Sequence, residues 1–360
     1  MQTYFCKTKI ISGTGAIGAL KDLNSRRFFL ICDPFFEKNG MAKQILEAAG
    51  AEKTQIFSDV RPDPDVALAA QATARARDFD PDPVAALGGG STMDCAKAVA
   101  YFLGKPVQLV AIPTTSGSGS EVTDFSILTH ENTKHPLIDE KLLPHVAILD
   151  DSLLTKLPPS LIADSGFDVI AHALEAYVAR GAGAITDALA RDAFCTAYSL
   201  LLSSYRGNTA VRQQIHTAST MAGMAFSQAG LGLCHGLSHC LGGLFHLPHG
   251  RLNAILLPAV IGVNANAAGA KYASLCRSAG LSGGADTVAV RNLRNALIRL
   301  RRELGLPATL AEAGVDPREV WRNASQIAQT AMADPCCDTN PVKVEDFMIR
   351  RVLEEVTGRV

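Results

Sequence analysis

The sequence has little charge and no excess of either sign. Of its 360 residues only 19% are charged, and 34 lysines and arginines stand against 35 aspartates and glutamates. Proteins that bind nucleic acid or anionic membranes usually carry a basic excess, so neither partner is expected here. Hydrophobic residues make up 48% of the chain, which excludes a disordered protein, and the length favours two domains.

Other signatures are also missing. We find no apolar run of the roughly 20 residues that span a bilayer, and the polar start MQTYFCKTKI lacks the apolar core of a signal peptide. The nine cysteines are an odd number without a CxxC pair, which is typical of reduced thiols. Neither a GK[ST] phosphate loop nor a GxSxG serine elbow occurs. We therefore expect a cytoplasmic protein that is neither a P-loop nucleotidase nor a serine hydrolase of that type.

The chain has two consecutive regions with different secondary-structure patterns. Up to about Asp150, short β-rich runs such as FFLIC, VAALGGG, QLVAIP and HVAILD alternate with helical runs such as VALAAQATARARDF. This alternation predicts βαβ units and a mostly parallel sheet. Long alanine-rich runs with a helical period follow. We predict an α/β domain over residues 1–153 with a dinucleotide-binding sheet, and an all-helical domain over residues 154–360.

Two glycine motifs compete as the phosphate-binding turn. Gly13–Gly18 matches GxGxxG, with Asp33 at the expected spacing, but the preceding residues do not form a buried strand. Gly88–Gly90 with Ser91 follows the apolar run VAAL and opens a helix, so its backbone can approach a diphosphate at a helix N-terminus. The hydroxyl-rich stretch Thr114–Ser120 follows the next strand and is expected at the same sheet edge. We favour the triple glycine; a tight turn without a ligand is the alternative.

Histidines cluster in the helical half. Asp168 and His172 are four residues apart on one helical face, and four of the nine histidines, at 235, 239, 246 and 249, lie within fifteen residues. Buried imidazoles and a carboxylate suit a divalent metal. We expect a metal site with two of these four histidines as bystanders, and a loop carrying His249 after Gly242 and Gly243 end the helix.

A dinucleotide and a metal facing each other across a cleft would suit hydride transfer to a polarised carbonyl. The segments GGGSTMDCAK, AIPTTSGSGSEVTDFSILTH, DSGFDVIAHALEAY and MAGMAFSQAGLGLCHGLSHCLGGLFHLPHGRLNAILLP together resemble the iron-containing (type III) alcohol dehydrogenase family. Within it, ICDPFF and MAFSQAGLGL most resemble the propanol-forming members of bacterial propanediol utilisation and their ethanol-forming relatives. The resemblance implies an NAD-linked, metal-dependent dehydrogenase for short-chain aldehydes and primary alcohols, with Fe²⁺ as the expected ion and Zn²⁺ as the alternative.

The resemblance also implies roles for individual residues. The metal ligands would be Asp168, His172, His235 and His249, with His239 as a catalytic residue that relays a proton or orients the substrate, and with His246 as a bystander. Cofactor contacts would come from Asp33, Asp63, Gly89, Gly90, Ser91, Thr114, Thr115, Ser118, Lys134 and Leu153. Phe125 and Phe226 would line the substrate pocket, although ordinary core packing is the alternative for both rings.

Three alternatives differ in their requirements. A reductase of a charged aldehyde, such as sulfoacetaldehyde or phosphonoacetaldehyde, needs a basic pocket residue, for which only Arg251 and Lys134 lie near the motifs. A metal hydrolase leaves the triple glycine unexplained, and a scaffold leaves the metal cluster unexplained. We expect a homo-oligomer, a dimer or larger, a CoA-acylating aldehyde dehydrogenase as pathway partner, and location in the cytoplasm or a bacterial microcompartment. The roles of Cys336 and Cys337 stay open.

Overall fold

The computed structural model describes residues 4–131 and 133–358, without the side chains of residues 133 and 134. The chain divides into two compact units. One spans Phe5–Leu157 and is called the α/β unit; the other begins at Pro158, includes Tyr4, and is called the helical unit.

The α/β unit contains all the strands of the described residues. They are β1 Lys9–Ser12, β2 Arg27–Cys32, β3 Lys53–Phe57, β4 Pro83–Gly88, β5 Gln108–Pro113, β6 Phe125–His130, β7 Thr133–Ile138 and β8 Val146–Leu149. Its α-helices are α1 Pro34–Lys38, α2 Met41–Ala49, α3 Val66–Phe79 and α4 Gly90–Phe102. Six strands form one sheet in the order β1-β8-β5-β4-β2-β3, and every pair in it is parallel. The predicted parallel sheet is confirmed.

The central strands are apolar on both faces. In β2, Phe28 and Leu30 pack into one hydrophobic cluster, whereas Phe29 and Ile31 pack into the cluster on the opposite face. Successive side chains of a strand alternate between faces, so a continuous apolar run such as FFLIC buries both. This explains why parallel sheets covered by helices read as uninterrupted hydrophobic segments.

Sequence analysis did not predict the edge strands or the hairpin. β1 and β3 form the two edges and carry several exposed residues, so their sequences lack a continuous apolar run. β6 and β7 pair antiparallel as a separate two-stranded sheet. Because β7 is polar at its start, the motif SILTH…TKHPLI has no clear alternation to mark it as a hairpin.

The helical unit has no strand among its described residues. Its α-helices are α5 Pro159–Val178, α6 Ala184–Tyr205, α7 Arg212–Ala229, α8 Leu233–Phe245, α9 His249–Ser278, α10 Asp286–Glu303, α11 Pro317–Arg322, α12 Ala324–Met332 and α13 Asp346–Val356. The prediction of a helical C-terminal region is confirmed.

Helix α9 departs from the sequence analysis in two ways. An 18-residue window in it is apolar enough to cross a membrane, with a mean hydropathy of 1.4, yet 67% of that window is buried inside the protein, as in a core helix. The expected loop around His249 is also wrong, because His249 is the first residue of α9. Helix α8 continues past Gly242 and Gly243 and ends where His246 adopts a left-handed conformation.

Candidate active site

Helices α5, α8 and α9 bring together the four residues predicted as metal ligands. One ligand atom from each of Asp168, His172, His235 and His249 lies within 4.8 Å of the others. Around Asp168 Oδ1, the nearest imidazole nitrogens lie at 3.9 Å for His172 Nδ1, 3.8 Å for His235 Nε2 and 3.6 Å for His249 Nε2. The exposed His246 is not part of this group.

Close helix packing produces this arrangement. Asp168 and His172 are four residues apart on α5, so their side chains share one face. At Gly250, directly after His249, a Cβ would lie 2.0 Å from the backbone oxygen of Asp164 on α5. Only glycine therefore lets the start of α9 approach α5 closely enough to place His249 beside Asp168.

A buried carboxylate that the sequence analysis missed supports one ligand. Glu175 Oε2 lies 2.6 Å from His235 Nδ1, and the Glu175 carboxylate also accepts hydrogen bonds from the backbone N–H groups of Gly232, Cys234 and His235. A carboxylate at the N-terminus of α8 is favourably placed toward the helix dipole. With its proton on Nδ1, His235 presents an Nε2 lone pair to the site. The signal for Glu175 was its spacing, one turn after His172 on the same helix face.

Asn253 is the second supporting residue that was missed. It is fully buried on α9, one turn after His249, and its Nδ2 donates to Asp168 Oδ1 over 2.7 Å. The same atom lies 3.3 Å from His235 Nε2 and 3.2 Å from His249 Nε2. Groups that orient metal ligands in this way are general features of metal sites.

Burial dominates the electrostatics of this group. It raises the pKa of Asp168 to about 7 in spite of the hydrogen bond from Asn253, and it raises the pKa of Glu175 to about 7. Burial, with the neighbouring imidazoles of His172 and His239, also holds the pKa of His235 well below its usual value. A neutral imidazole is the form that binds a metal, and a divalent ion would offset the cost of burying carboxylates. The donor set therefore fits a divalent metal.

His239 belongs to a separate contact. Its Nδ1 lies 2.9 Å from Asp334 Oδ2, and its ring stacks on His249 with centroids 5.2 Å apart. Although burial raises the pKa of Asp334, the hydrogen bond and charge of His239 together with hydrogen bonds from Cys336 outweigh it, so that pKa lies below its usual value. With Asp334 ionised, Nδ1 of His239 carries the proton of this hydrogen bond, and the contact fixes the orientation of the ring. Asp334 lies 95 positions after His239, so no local pattern reveals it.

The two predicted aromatic residues have different surroundings. Phe226 is buried, and its ring stacks on that of His172 with centroids 4.5 Å apart. Phe125 is half-buried in the α/β unit, with its ring beside the Lys97 ammonium. Phe226 therefore packs on a predicted metal ligand, and a role in substrate contact stays a prediction for both rings.

The triple-glycine turn and the hydroxyl-rich loop meet in the α/β unit. Thr114 N donates to Gly88 O, and a Cβ at Gly89 or Gly90 would lie 3.1 Å from Thr115 or 3.2 Å from Ser118. Asp63 N donates to Ser91 Oγ. Helix α4 begins at Gly90 without a side-chain cap, which leaves its N-terminal N–H groups suited to an anion.

In the GxGxxG turn, backbone N–H groups already donate hydrogen bonds to a side chain of the protein. Its amides Gly15 N and Ile17 N donate to the two oxygens of Asp150, a fully buried carboxylate at the end of β8. These N–H groups therefore already have a negative partner, which supports the choice of the triple glycine.

The remaining predicted cofactor residues are spread more widely. Asp33 follows β2 and caps helix α1 by accepting a hydrogen bond from Phe35 N over 2.7 Å. Leu153 packs in the hydrophobic core beside the sheet, and the side chain of Lys134 lies outside the described residues.

Lys97, on α4, is a further residue that was missed. It is fully buried, and its Nζ donates to Thr123 O, Thr123 Oγ1, Ser120 Oγ and Phe125 O. Burial lowers its pKa to about 8. This lysine anchors the segment after the hydroxyl-rich loop to the helix that the triple glycine opens.

Comparison with known proteins agrees with this assembly. The family profile "Iron-containing alcohol dehydrogenase" matches residues 7–151, and "Fe-containing alcohol dehydrogenase family, C-terminal" matches residues 162–357. The chain is similar to the 1-propanol dehydrogenase PduQ of Citrobacter freundii, with 38% identity over 99% of this chain and 100% of that protein. It is 34% identical to the NADPH-dependent butanol dehydrogenase of Clostridium saccharobutylicum, over 98% and 97% of the two chains. It is 36% identical to the bifunctional aldehyde-alcohol dehydrogenase AdhE of Escherichia coli, over 88% of this chain and 41% of AdhE.

Solved structures show the same fold over nearly the whole chain. The iron-containing alcohol dehydrogenase of Thermococcus thioreducens aligns with a TM-score of 0.91 at 31% identity, covering 98% of both chains. The sulfoacetaldehyde reductase of Bifidobacterium kashiwanohense, in complex with NAD⁺, aligns with a TM-score of 0.89 at 26% identity, again over 98% of both. Both halves of the sequence and the full fold thus agree, and the chain belongs to the iron-containing alcohol dehydrogenase family.

Proposed function

We propose that this protein is a metal-dependent, NAD(H)-linked alcohol dehydrogenase that interconverts short-chain aldehydes and primary alcohols of the propionaldehyde/1-propanol or acetaldehyde/ethanol type. The observation that carries the proposal is the convergence of Asp168, His172, His235 and His249 in a chain whose relatives include a 1-propanol and a butanol dehydrogenase.

These four residues would hold the divalent ion, for which we propose Fe²⁺ over Zn²⁺. When bound, the ion supplies a Lewis acid for a carbonyl oxygen. Glu175 keeps the proton of His235 on Nδ1 and so aims Nε2 at the ion. His239, held by Asp334, donates a proton from Nε2 to the oxygen of the forming alcohol, and the Asp334 carboxylate stabilises the imidazolium charge.

The α/β unit would hold the dinucleotide, which gives or takes the hydride. The uncapped N-terminus of α4 at Gly89, Gly90 and Ser91 would receive the diphosphate, and Thr114, Thr115 and Ser118 lie against that turn. Asp33 at the end of β2 would accept hydrogen bonds from the adenosine ribose and repel a 2′-phosphate. We propose Asp63, Lys134 and Leu153 as the other contacts.

The test is NADH oxidation with an aldehyde panel before chelation, after chelation and after Fe²⁺ is restored. We expect activity to disappear with the metal and to return with it. Acetaldehyde, propionaldehyde and butyraldehyde should exceed lactaldehyde and glycolaldehyde in kcat/KM, because the predicted pocket residues Phe125 and Phe226 offer no partner for a second hydroxyl. The preference should be graded, since an apolar wall discriminates against an extra hydroxyl by only about 1 to 3 kcal/mol. Full activity in the metal-free enzyme would contradict the proposal.

A matched pair of variants distinguishes a predicted metal ligand, His249, from a nearby histidine outside the site, His246. His249→Ala should lose most of the bound metal by elemental analysis, whereas His246→Ala, at the exposed end of α8, should retain it. Equal metal contents in the two variants would contradict the ligand assignment.

The second candidate is reduction of a charged aldehyde. The similarity to a sulfoacetaldehyde reductase favours it, but Arg251 already donates to Asp164 over 3.2 and 2.9 Å, which lowers its value as a substrate anchor. Sulfoacetaldehyde in the same panel decides between the two. Family membership does not support the hydrolase alternative.

We propose a cytoplasmic homo-oligomer, a dimer or larger, which light scattering would measure. A CoA-acylating aldehyde dehydrogenase would supply the aldehyde, as the bifunctional name of AdhE suggests for that relative. Location in a microcompartment stays a prediction.

A further inference from the structure

A second group of metal-binding side chains lies beside the four-residue site. One ligand atom from each of His239, Asp334 and Cys336 lies within 4.8 Å of the other two. The two groups share no residue, although the rings of His239 and His249 stack. His239, Asp334 and Cys336 each have intermediate solvent exposure, so the group lies near the protein surface.

Close packing against α8 holds the three donors in place. A Cβ at Gly236, one turn before His239, would lie 2.5 Å from Cys337 Sγ and 3.3 Å from Ala331 O, so glycine is needed for this approach. Asp334 caps the short helix Pro335–Thr339 by accepting from Cys336 N over 2.8 Å through Oδ1. Its other oxygen, Oδ2, faces His239. The carboxylate is thereby oriented from both sides.

The donor chemistry differs from that of the first site. An imidazole, a carboxylate and a thiolate form a set that Zn²⁺ and Cd²⁺ prefer, since sulfur is a soft ligand, whereas Asp168 and its three histidines offer no sulfur. Tetrahedral zinc ligands at ordinary bond lengths lie about 3.5 Å apart. His239 Nδ1 and Asp334 Oδ2 are already 2.9 Å apart, and one ligand atom from each of the three residues lies within 4.8 Å of the others, so an ion needs only small side-chain shifts.

We propose that His239, Asp334 and Cys336 form a second, inhibitory site for a soft divalent cation such as Zn²⁺ or Cd²⁺. The ion bonds to His239 Nδ1, Asp334 Oδ2 and Cys336 Sγ, and water completes its shell. The Nδ1 and thiol protons leave to solvent. Burial and the Asp334 carboxylate raise the pKa of Cys336 well above its usual value, so the thiol carries a proton until an ion displaces it.

Only the inhibitory consequence rests on the proposed function. An ion on Nδ1 separates His239 from Asp334 and removes the carboxylate that stabilises the imidazolium charge. Proton delivery from Nε2 then fails even though the first site keeps its metal. Binding itself requires no assumption about the reaction.

The experiment is a cadmium titration of the iron-loaded enzyme under anaerobic conditions, with a competing chelator to suppress weak surface binding. The ultraviolet charge-transfer absorption of a cadmium–thiolate bond reports on a thiol ligand, which the first site lacks, and the Cys336 variant assigns the absorption to that thiol. We expect one equivalent of cadmium to bind with this absorption. Elemental analysis should show that the iron is retained, and turnover should fall in proportion to the bound cadmium.

Two variants make the result specific. Cys336→Ala should lose the absorption and resist inhibition, while Cys195→Ala, which removes another half-buried thiol on α6, should behave as the wild type. Circular dichroism checks that both are folded. Absorption that persists in Cys336→Ala, or its absence from the wild type, would overturn the site. Binding at Cys336 with unchanged turnover would leave the site standing and contradict the proton role of His239.

Discussion

At the scale of single residues, the Glu175 carboxylate both caps α8 and holds the ring of His235. The Glu175→Gln variant keeps the shape of the side chain, but either its amide N–H₂ or its amide oxygen, a weaker acceptor than a carboxylate, faces His235 Nδ1. We expect metal affinity to fall about 10- to 100-fold, as for other groups that orient metal ligands. Competition with a chromophoric chelator measures it.

The control is Asp187→Asn, which removes a carboxylate of α6 that pairs with Lys271 and touches none of the ligands. Its metal affinity should match that of the wild type. An unchanged affinity in Glu175→Gln as well would show that the hydrogen bond to His235 does not orient a ligand.

Asp33 combines a structural contact with the proposed choice of cofactor. Because it caps α1 through Phe35 N, replacement by glycine would change two properties at once. Asp33→Asn keeps a good capping group and removes the charge. We expect the ratio of kcat/KM for NADPH to that for NADH to rise. The ratio is measured at constant aldehyde concentration; a ratio equal to that of the wild type would contradict a role for the Asp33 charge.

At the scale of elements, the contact between α8 and the segment around Asp334 depends on Gly236. In Gly236→Ala the added Cβ meets Cys337 Sγ and Ala331 O, so that segment must move away from His239. We expect kcat to fall at least about tenfold with bound metal retained, since proton transfer typically contributes 100-fold or more. Steady-state kinetics and elemental analysis measure the two effects.

Gly243→Ala is the matched control on the same helix, because a Cβ there meets nothing within 4 Å. It should leave kcat unchanged and cost no stability, since alanine is the better helix former. A similar loss of kcat in both variants would mean that helix flexibility, rather than the contact with Asp334, is responsible.

The turn Gly13–Gly18 depends on Asp150. Although burial raises the pKa of Asp150, hydrogen bonds from Ile17, Gly15 and Ser152 outweigh it, so the pKa lies below its ordinary value of 3.8. A carboxyl group with a lowered pKa stabilises the fold fully above its unfolded-state pKa, and that contribution is lost as the pH falls through the folded-state pKa.

We therefore expect Asp150→Asn to reduce the free energy of unfolding by about 1 to 3 kcal/mol near neutral pH, because an amide N–H₂ would face a backbone donor. The difference from the wild type should shrink below about pH 4. Urea unfolding followed by circular dichroism at several pH values measures it. A difference that is constant down to pH 2 would contradict the assigned role.

At the scale of the whole molecule, the metal would stabilise the helical unit and NADH would stabilise the α/β unit. A ligand at 100 times its Kd stabilises the form that binds it by about 2.7 kcal/mol. Removal of the metal should therefore increase amide hydrogen exchange in peptides from α5 and α8, and NADH should decrease exchange in peptides from α4. Mass spectrometry resolves these peptides. Equal effects of both ligands on all peptides would contradict separate sites.

The sequence alone was sufficient where the signal is local and continuous. The buried strands β2, β4 and β5 are unbroken apolar runs, because both faces of the sheet are covered. The metal cluster stood out because Asp168 and His172, and likewise His235 and His239, follow the helical period, whereas the choice of the four ligands came from the family resemblance. The triple glycine was distinguishable from Gly13–Gly18 because only it follows a buried strand.

Tertiary structure decided what depends on residues distant in sequence. Asp334 reaches His239, Glu175 reaches His235, and Asp150 occupies the GxGxxG turn only because packed helices and strands bring them together. None of these pairs has a spacing that a helical or strand period would mark. The close approach of α9 to α5 was likewise decided by tertiary packing, because a Cβ at Gly250 would lie 2.0 Å from the backbone oxygen of Asp164, and no local pattern shows which backbone a glycine will meet.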